Sequence, residues 1–221
     1  MNILVFGANS EISHHFVAYC ETKGHEIFLI TRDANSYSTN SNKLIVEDYL
    51  AEKEQIKNFV KNLENPVVVF FNGALFENRP SKIPTQKEIE QTYYINFTVP
   101  FELYKFLEES ISVNRFVFIS SMAAVRLRNK NFEYGKSKQY LENNLLEKSK
   151  DNILIIRFGK IFTSMSRDHK TPPFSMSPNK AAIKIYNNLD KKNIVYGNLG
   201  LNLISKLIKI IPSFIFKKIN I

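Results

Sequence analysis

Three side chains near the middle of the chain have the types and spacing for acid–base chemistry. Ser121 is followed thirteen positions later by Tyr134, and Lys138 comes four residues after the tyrosine. On a helix, residues four apart share a face. A tyrosine with a pKa of about 10 is a poor acid at neutral pH, and a nearby ammonium lowers that pKa by stabilising the phenolate. The serine hydroxyl could then hold a carbonyl oxygen while the tyrosine protonates it. A surface helical pair without a catalytic role has the same spacing.

The rest of the chain predicts the elements that would position these residues. Apolar runs typical of strands lie at 2–6, 26–31, 43–47, 66–71, 115–120, 152–158 and 193–197. Most show no alternation of apolar and polar residues, as expected for strands covered on both faces. Stretches with helical spacing, such as 54–63 and 133–149, lie between them. We therefore predict an α/β fold: one Rossmann-type domain over 1–197 with a doubly wound parallel sheet, and a basic amphipathic tail over 198–221.

In such a sheet, ligands bind beyond the carboxyl ends of the strands. The first strand is followed by a candidate phosphate-binding turn formed by Gly7, Ala8, Asn9, Ser10, Glu11 and Ile12. A glycine there lets backbone amides approach a pyrophosphate at the start of the next helix. Only Gly7 remains of the usual three glycines, with Glu11 and Ser13 at the other positions. We expect Glu11 to point away from phosphate or to cap the helix. A tight turn without a ligand is the alternative.

The ends of the next three strands carry further candidate nucleotide contacts. Arg32 ends the second strand, where an arginine suits a ribose 2′-phosphate and an acidic residue suits a 2′-hydroxyl. NADP(H) is therefore preferred over NAD(H) on charge grounds, although Asp33 is adjacent. Asp48, after the third strand, is placed to contact an adenine or to cap a helix. The fourth strand ends in Asn72, Gly73 and Ala74, a small-residue turn that could pass close to a nucleotide.

Together these residues resemble the short-chain dehydrogenase/reductase superfamily over roughly residues 1–197. The most specific part of the resemblance is Ser121, Tyr134 and Lys138 at the expected spacings. It implies that Tyr134 is the general acid/base, that Lys138 is its activator and a ribose ligand, and that Ser121 orients the substrate. Hydride would pass from a nicotinamide to a carbonyl carbon while Tyr134 protonates the oxygen.

Two further segments carry the same resemblance. Asn96, in the stretch YYINFTVPF, matches the family's helix asparagine and implies a water-linked proton relay; alternatively, it bends the helix that contains Pro100. Residues 157–163 match the segment that covers the nicotinamide, with Phe158 in place of the usual proline. The residues implied as cofactor contacts there are Phe158, Gly159, Ile161 and Thr163.

The resemblance also suggests a substrate class. The letters SEI in the first turn, the stretch 171–182 and the chain's ending look like a subgroup of cell-envelope glycan synthesis, which includes a reductase of polyprenyl-phosphoryl 2-keto-ribose. This implies a carbonyl substrate of the keto-sugar type that bears a phosphate or a polyprenyl group. Within the superfamily, RFGKIFTS also looks like the sugar-nucleotide epimerases and dehydratases, although the short chain after the sixth strand leaves little room for their substrate region. A non-catalytic nucleotide-binding regulator is disfavoured because it would not need the whole Ser–Tyr–Lys set.

The cysteine and histidine content bears on the compartment and on metal binding. The single cysteine, Cys20, excludes an intramolecular disulfide and fits a reducing compartment; we expect it to be buried on the first helix. The chain starts directly with a strand pattern, without a signal-peptide pattern, which predicts a cytoplasmic protein. The four histidines lack metal-site spacing, so no metal is expected; they are His14, His15, His25 and His169.

The net positive charge of the chain comes from its last 62 residues, 160–221. Residues 1–159 hold 19 basic and 19 acidic residues, whereas 160–221 hold 11 basic and 2 acidic, which accounts for the net charge of +9. Such an excess suits an anionic membrane surface or a phosphate-bearing substrate, and solvated lysines are the plain alternative. Because no arginine and aromatic platform accompanies the lysines, we expect no nucleic-acid partner.

The tail itself has helical periodicity. Between 199 and 221, polar residues recur every three or four positions, at Asn202, Lys206, Lys209, Ser213, Lys217 and Asn220. A membrane-spanning helix needs about 20 mostly apolar residues, so these lysines and Pro212 argue against one. We expect an amphipathic helix lying on the inner face of a membrane. The alternative is a helix that packs on the domain or across a homodimer.

Overall fold

The computed structural model describes residues 1–33, 42–75, 83–148, 150–166, 171–212 and 216, and within them one seven-stranded sheet forms the centre. The strands are β1 (Asn2–Phe6), β2 (Glu26–Thr31), β3 (Asn42–Ile45), β4 (Val67–Phe70), β5 (Arg115–Ser121), β6 (Ile153–Phe158) and β7 (Asn193–Tyr196). They are ordered β3–β2–β1–β4–β5–β6–β7, and all neighbours pair in parallel. The predicted fold class is confirmed.

Helices cover both faces of the sheet. They are α1 (Glu11–Thr22), α2 (Lys53–Val60), α3 (Gln86–Tyr93), α4 (Val99–Ser110), α5 (Phe132–Glu147), α6 (Pro178–Tyr186) and α7 (Leu199–Ile210). On one face, Ile3 and Val5 of β1 belong to a core with residues of α1 and α6. On the other face, Leu4 and Phe6 belong to a core with residues of α2, α4 and α5. Burial on both faces explains why the strands are apolar without alternation.

Stacked aromatic rings join the three central strands, β1, β4 and β5, at one register position. Phe6, Phe70 and Phe118 are register partners on β1, β4 and β5. Their ring centroids lie 5.0 Å and 4.8 Å apart in stacked arrangements. Such pairs contribute roughly 0.5–1.5 kcal/mol each beyond the area they bury. Because the strands are parallel and in this register, the residues that follow each of them meet at one edge of the sheet.

Cys20 is buried in the α1 face of the core, as predicted. Burial, assisted by the nearby Glu21 carboxylate, raises the pKa of its thiol to about 12. The thiolate is the reactive form, so Cys20 is a packing residue at neutral pH. Among the described residues, no three His, Cys, Asp or Glu side chains gather where they could hold a metal ion; His169 lies outside that part of the chain.

The first part of the tail forms α7, which begins at an Asn198 cap: the side-chain oxygen accepts from the Leu201 amide at 2.9 Å. Leu201 and Ser205 are buried against the domain, whereas Lys206 and Lys209 are exposed. One face of this helix therefore packs on the domain. Three residues of the predicted periodicity, Ser213, Lys217 and Asn220, lie outside the described residues. Within the described part of the chain, every helix is too short or too polar to span a bilayer.

Candidate cofactor and catalytic site

Gly7 occupies a position that only glycine fits. Its φ of +71° lies in the left-handed region, which other residues enter at a cost. A Cβ built on Gly7 would lie 2.9 Å from the carbonyl carbon of Phe71 and 3.0 Å from the amide nitrogen of Asn72. The turn after β1 therefore packs directly on the backbone that leaves β4. The chain leaves β1 and β4 toward opposite faces of the sheet here, and in doubly wound sheets the ligand crevice lies at this switch point between the two central strands.

We expect Gly7→Ala to destabilise the protein by about 2–5 kcal/mol, because left-handed strain adds to a backbone clash, and to abolish nucleotide binding. Gly24→Ala is a matched control, since Gly24 has a φ of +73° and a Cβ added there would meet nothing within 4 Å. It should cost about 1 kcal/mol through strain alone and leave binding intact. Urea unfolding and NADPH titration of both variants measure the difference. Equal losses in both would mean that the packing of Gly7 on β4 has no importance.

Two serines hold the start of α1, and one of them, Ser13, lies where a glycine is usual. The Ser10 hydroxyl accepts from the Ile12 amide at 3.2 Å and caps the helix. The buried Ser13 hydroxyl donates to the carbonyls of Ala8 at 2.6 Å and Ser10 at 2.7 Å. The exposed Glu11 carboxylate accepts from the amide of Ser164 at 2.7 Å, and its predicted orientation away from a phosphate stays a prediction. The helix N-terminus is thereby joined to the segment that follows β6.

Two further predicted cofactor contacts, Arg32 and Asp48, follow β2 and β3. Thr31 donates to the Asn9 side-chain oxygen at 2.5 Å, which fastens the first turn to β2. Arg32 is exposed at the sheet edge. The Asp48 carboxylate accepts from the Ala51 amide at 2.9 Å and from the Tyr94 hydroxyl at 2.7 Å. These hydrogen bonds, with a smaller effect of Arg32, lower the pKa of Asp48. Asp48 thus caps the turn before α2, and its contact with an adenine stays a prediction.

The turn after β4 is held by Asn96. This fully buried residue lies in a π-helical turn, Tyr94–Thr98, between α3 and α4. Its side-chain oxygen accepts from the Ala74 amide at 2.8 Å, and its nitrogen donates to the Ala74 carbonyl at 2.9 Å and to the Ser137 hydroxyl at 3.1 Å. Gly73 passes over it, with space for a Cβ 4.0 Å from the Asn96 oxygen. The helix is irregular here, as the alternative interpretation expects, and the predicted proton relay stays a prediction.

The structure brings the predicted serine and tyrosine together. Ser121 ends β5, and its side chain is hydrogen-bonded to that of Tyr134 on α5. The Ser121 oxygen also accepts from the Ala123 amide at 3.2 Å. Burial raises the pKa of Tyr134, and the Ser121 hydrogen bond opposes this. The net direction is opposite to the lowering that we predicted from the neighbouring lysine. Tyr134 is therefore a protonated hydroxyl at neutral pH, able to donate.

Lys138 lies one turn further along α5 and is almost fully buried. Its ammonium donates to the carbonyl of Asn72 at 2.8 Å and to that of Ile119 at 3.1 Å. Burial lowers its pKa to about 8, against a raising effect of Glu142. In this structure the lysine joins the ends of β4 and β5 to α5. Its predicted roles as activator of Tyr134 and as ribose ligand stay predictions.

Sequence reasoning missed a buried ionic cluster behind Lys138. The Glu142 carboxylate receives hydrogen bonds from the Arg157 guanidinium, including two from Nε at 3.0 Å and 3.1 Å, and one from the Ser120 hydroxyl at 2.6 Å. Arg157 also donates to the Tyr196 hydroxyl at 2.9 Å. The two serines at the end of β5 therefore differ, because successive strand residues point to opposite faces. Ser120 supports the cluster and Ser121 faces Tyr134.

Residues 158–164, at and after the end of β6, form the remaining side of the candidate site. Phe158 is buried, and a Cβ on Gly159 would lie 3.3 Å from the Leu201 side chain of α7. Ile161 pairs with Met176 in an isolated parallel bridge, and the Thr163 amide donates to the Ile161 carbonyl at 2.9 Å. Together with the Glu11–Ser164 hydrogen bond, this places the segment against the start of α1.

The residues at this edge fit a dinucleotide. The Gly7 turn presents backbone beside a helix N-terminus, where a pyrophosphate is favoured. The side-chain oxygen of Asn72 is buried and, within the described residues, has no hydrogen-bond partner. Buried polar atoms are normally paired, so this oxygen is suited to accept from a ligand hydroxyl. The Tyr134–Ser121 pair is beside this crevice because Lys138 bonds directly to Asn72.

Solved structures of other proteins share this fold. A short-chain dehydrogenase from Burkholderia cenocepacia J2315, in complex with NADP, aligns with a TM-score of 0.78 at 13% identity, over 100% of this chain and 97% of the other. An alcohol dehydrogenase from Thermococcus sibiricus, complexed with 5-hydroxy-NADP, aligns with a TM-score of 0.71 at 13% identity, over 89% and 96%. The ligand-free aldohexose dehydrogenase of Thermoplasma acidophilum aligns with a TM-score of 0.71 at 15% identity, over 90% and 94%.

A family model extends the likeness from fold to sequence. The model of the NAD-dependent epimerase/dehydratase family matches residues 3–200, which is nearly the whole described domain. The match includes the Gly7 turn, the Ser121–Tyr134–Lys138 set and the segment after β6. The superfamily resemblance predicted from the sequence is confirmed at this level, while the cell-envelope subgroup stays a prediction. The chain therefore belongs to the NAD-dependent epimerase/dehydratase family.

Proposed function

We propose that this protein is an oxidoreductase that uses NADPH in preference to NADH to reduce a carbonyl group. The observation that carries the proposal is the hydrogen-bonded hydroxyl pair of Ser121 and Tyr134, set at the carboxyl edge of the sheet beside Lys138. A positioned acid of this kind typically contributes 10²–10⁴-fold to a rate. That several proteins of the same fold are described in complex with NADP supports the choice of cofactor.

Four parts of the edge would hold the cofactor. The Gly7 turn would face the pyrophosphate, Arg32 the 2′-phosphate, Asn72 and Lys138 the ribose hydroxyls, and residues 158–163 the nicotinamide side. The bound cofactor supplies the hydride that reduces the carbonyl carbon. The protein supplies position, charge and a proton.

The chain's own residues account for the proton. The Ser121 hydroxyl orients the carbonyl oxygen, and the Tyr134 hydroxyl donates its proton to that oxygen as the bond is reduced. Because burial raises its pKa, Tyr134 holds this proton at neutral pH before the reaction. A water-linked relay that starts from the backbone carbonyl of Asn96 would return a proton to Tyr134 afterwards. In a regular α-helix this carbonyl would accept from the N–H of residue 100. Residue 100 is a proline without an N–H, so it cannot supply that hydrogen bond.

The substrate we propose is a keto-sugar that carries a phosphate or a polyprenyl phosphate, within cell-envelope polysaccharide synthesis. The support for it is the subgroup resemblance of the first turn and of residues 171–182, together with the 11 basic and 2 acidic residues after position 159. Reduction at the cytoplasmic face of a membrane would suit such a molecule.

A second candidate is a sugar-nucleotide epimerase or dehydratase, because the matching family model describes those enzymes. The same hydroxyl pair would then remove a proton and return it, while the oxidised cofactor would take a hydride from the substrate and give it back within one turnover. The two candidates differ in stoichiometry. A reductase consumes one NADPH per product, whereas an epimerase or dehydratase consumes none.

Binding of NADPH and NADH to the purified protein tests the proposal first. We expect NADPH to bind more tightly, and Arg32→Ser to weaken NADPH binding about tenfold or more with little change for NADH, because a charge-assisted contact to phosphate is lost. Lys57→Ser removes an exposed charge from α2 and should change neither affinity. Equal affinities in the wild type would contradict the NADPH preference. Failure of both nucleotides to bind at millimolar concentration would refute the oxidoreductase.

A further inference from the structure

The outward face of α7 carries an apolar stripe. Its members are Leu199, Leu203, Leu207 and Ile210, with exposed fractions of 88%, 61%, 48% and 77%. Their spacings of four, four and three residues place them on one side of the helix. Leu201 and Ser205, which are buried against the domain, occupy the opposite side. The stripe is thus displayed to the outside by a helix whose inner face is already packed.

Contacts at both ends hold α7 in place. At its start, Gly200 is packed so closely on the Phe174 ring that a Cβ would lie 2.4 Å from it. At its end, the Arg126 guanidinium donates to the carbonyls of Ile208, at 2.5 Å, and Ile211. The same guanidinium lies 4.2 Å from the Phe216 ring centroid in a cation–π contact. Because the helix is anchored in this way, the exposure of the stripe is a property of the folded domain.

The charges beside the stripe favour an anionic partner. Lys206 and Lys209 are exposed on the same helix, and residues 160–221 carry the whole positive excess of the chain. A symmetric dimer through this face would bring the two lysines of one copy toward those of the other. An anionic surface instead offers phosphates to the lysines and hydrocarbon to the leucines.

We propose that α7 docks on the surface of an anionic membrane, with the stripe in the boundary between headgroups and acyl chains and with Lys206 and Lys209 at the lipid phosphates. Twelve residues of helix are about 18 Å long, which is too short to span a bilayer and sufficient to lie on one. Arg126 belongs to the loop that follows Ser121, so docking through α7 would hold the carboxyl edge of the sheet close to the lipid. This inference does not depend on the proposed reaction.

Co-sedimentation with lipid vesicles tests the proposal on the full chain. We expect the wild type to bind phosphatidylcholine vesicles that contain roughly a third phosphatidylglycerol at least about tenfold more tightly than pure phosphatidylcholine vesicles. Leu203→Ser with Leu207→Ser should weaken binding about tenfold or more, because two apolar side chains that would enter the lipid boundary are lost. Lys206→Gln with Lys209→Gln should remove most of the preference for phosphatidylglycerol.

Matched variants control for nonspecific stickiness. The first control, Ile45→Ser with Ile83→Ser, removes two apolar side chains elsewhere on the domain, with exposed fractions of 48% and 88%. The second control, Lys57→Gln with Lys61→Gln, removes two exposed lysines, one in α2 and one directly after it. Both should bind vesicles like the wild type, and NADPH binding and Tm confirm that every variant is folded. A wild type that stays in solution with both vesicle types, or a leucine variant that still binds them fully, overturns the proposal. A wild-type dimer that the leucine variant converts to a monomer, without vesicle binding, assigns the stripe to self-association instead.

Discussion

Replacement of Tyr134 by phenylalanine is expected to lower the turnover number by about 10²–10⁴-fold while leaving NADPH binding unchanged. The substitution removes only the hydroxyl that is hydrogen-bonded to Ser121 and keeps the aromatic ring at that position of α5. The loss should therefore fall on the chemical step, because the proton donor is gone and the nucleotide crevice is intact. Steady-state consumption of NADPH with a panel of keto-sugars, alongside a binding titration, measures the two effects separately.

Tyr140→Phe is the matched control, since Tyr140 lies on the same helix, is 44% exposed and has its ring against Tyr93 and Phe97. It should turn over like the wild type. Ser121→Ala keeps the tyrosine and removes its partner, so its rate should fall between those of the two tyrosine variants. Full activity of the Tyr134→Phe protein would show that the hydroxyl pair does not perform the reaction.

The buried pair of Glu142 and Arg157 gives the second large expected effect. Arg157→Leu leaves a carboxylate 2% exposed without its guanidinium, and removal of one partner of a buried pair typically costs about 3–5 kcal/mol. For a domain of this size, we expect Tm to fall by roughly 10 °C. Differential scanning calorimetry of the variant and the wild type measures it.

Two comparisons show whether that loss comes from the pair. The double variant Glu142→Leu/Arg157→Leu removes both charges and should recover a large part of the stability, because no unpaired charge is left. Lys192→Leu breaks the exposed pair with Asp151, whose atoms are 3.0 Å apart, and should cost less than about 1 kcal/mol. With Glu142→Leu measured as the second single variant, a double variant whose loss equals the sum of the two single losses would mean that the pair contributes no coupling energy.

The sequence predicted the fold well because the relevant patterns are local. Seven apolar runs correspond to the seven strands within one or two residues at each end. Gly7, Ser121 and Tyr134 could be found for the same reason: each lies at or just after the end of a strand or in the first turn of a helix, and parallel strands bring such positions to one edge. The positive φ of Gly7 and its contact with Phe71 give a structural reason for the one glycine that is kept.

What the sequence did not show depends on pairings across the sheet. Arg157 is a charged residue in an otherwise apolar strand, and Glu142 lies four residues after Lys138, yet only the packing of α5 over β5 and β6 shows that they meet. The same holds for Lys138, whose hydrogen bonds to Asn72 and Ile119 join two strand ends. Burial also reversed the predicted pKa direction of Tyr134, because the degree of desolvation is a property of the folded site.

The contact of Gly7 with the backbone after β4 also bears on how the protein is made. A nascent chain that has only emerged through β1 and α1 has half of the nucleotide crevice, since the other half follows β4 and is tied by Lys138 to α5. The cofactor can therefore stabilise the chain only after the first 138 residues have been synthesised and docked. A truncated or mispaired chain gains nothing from the nucleotide and stays exposed to proteases.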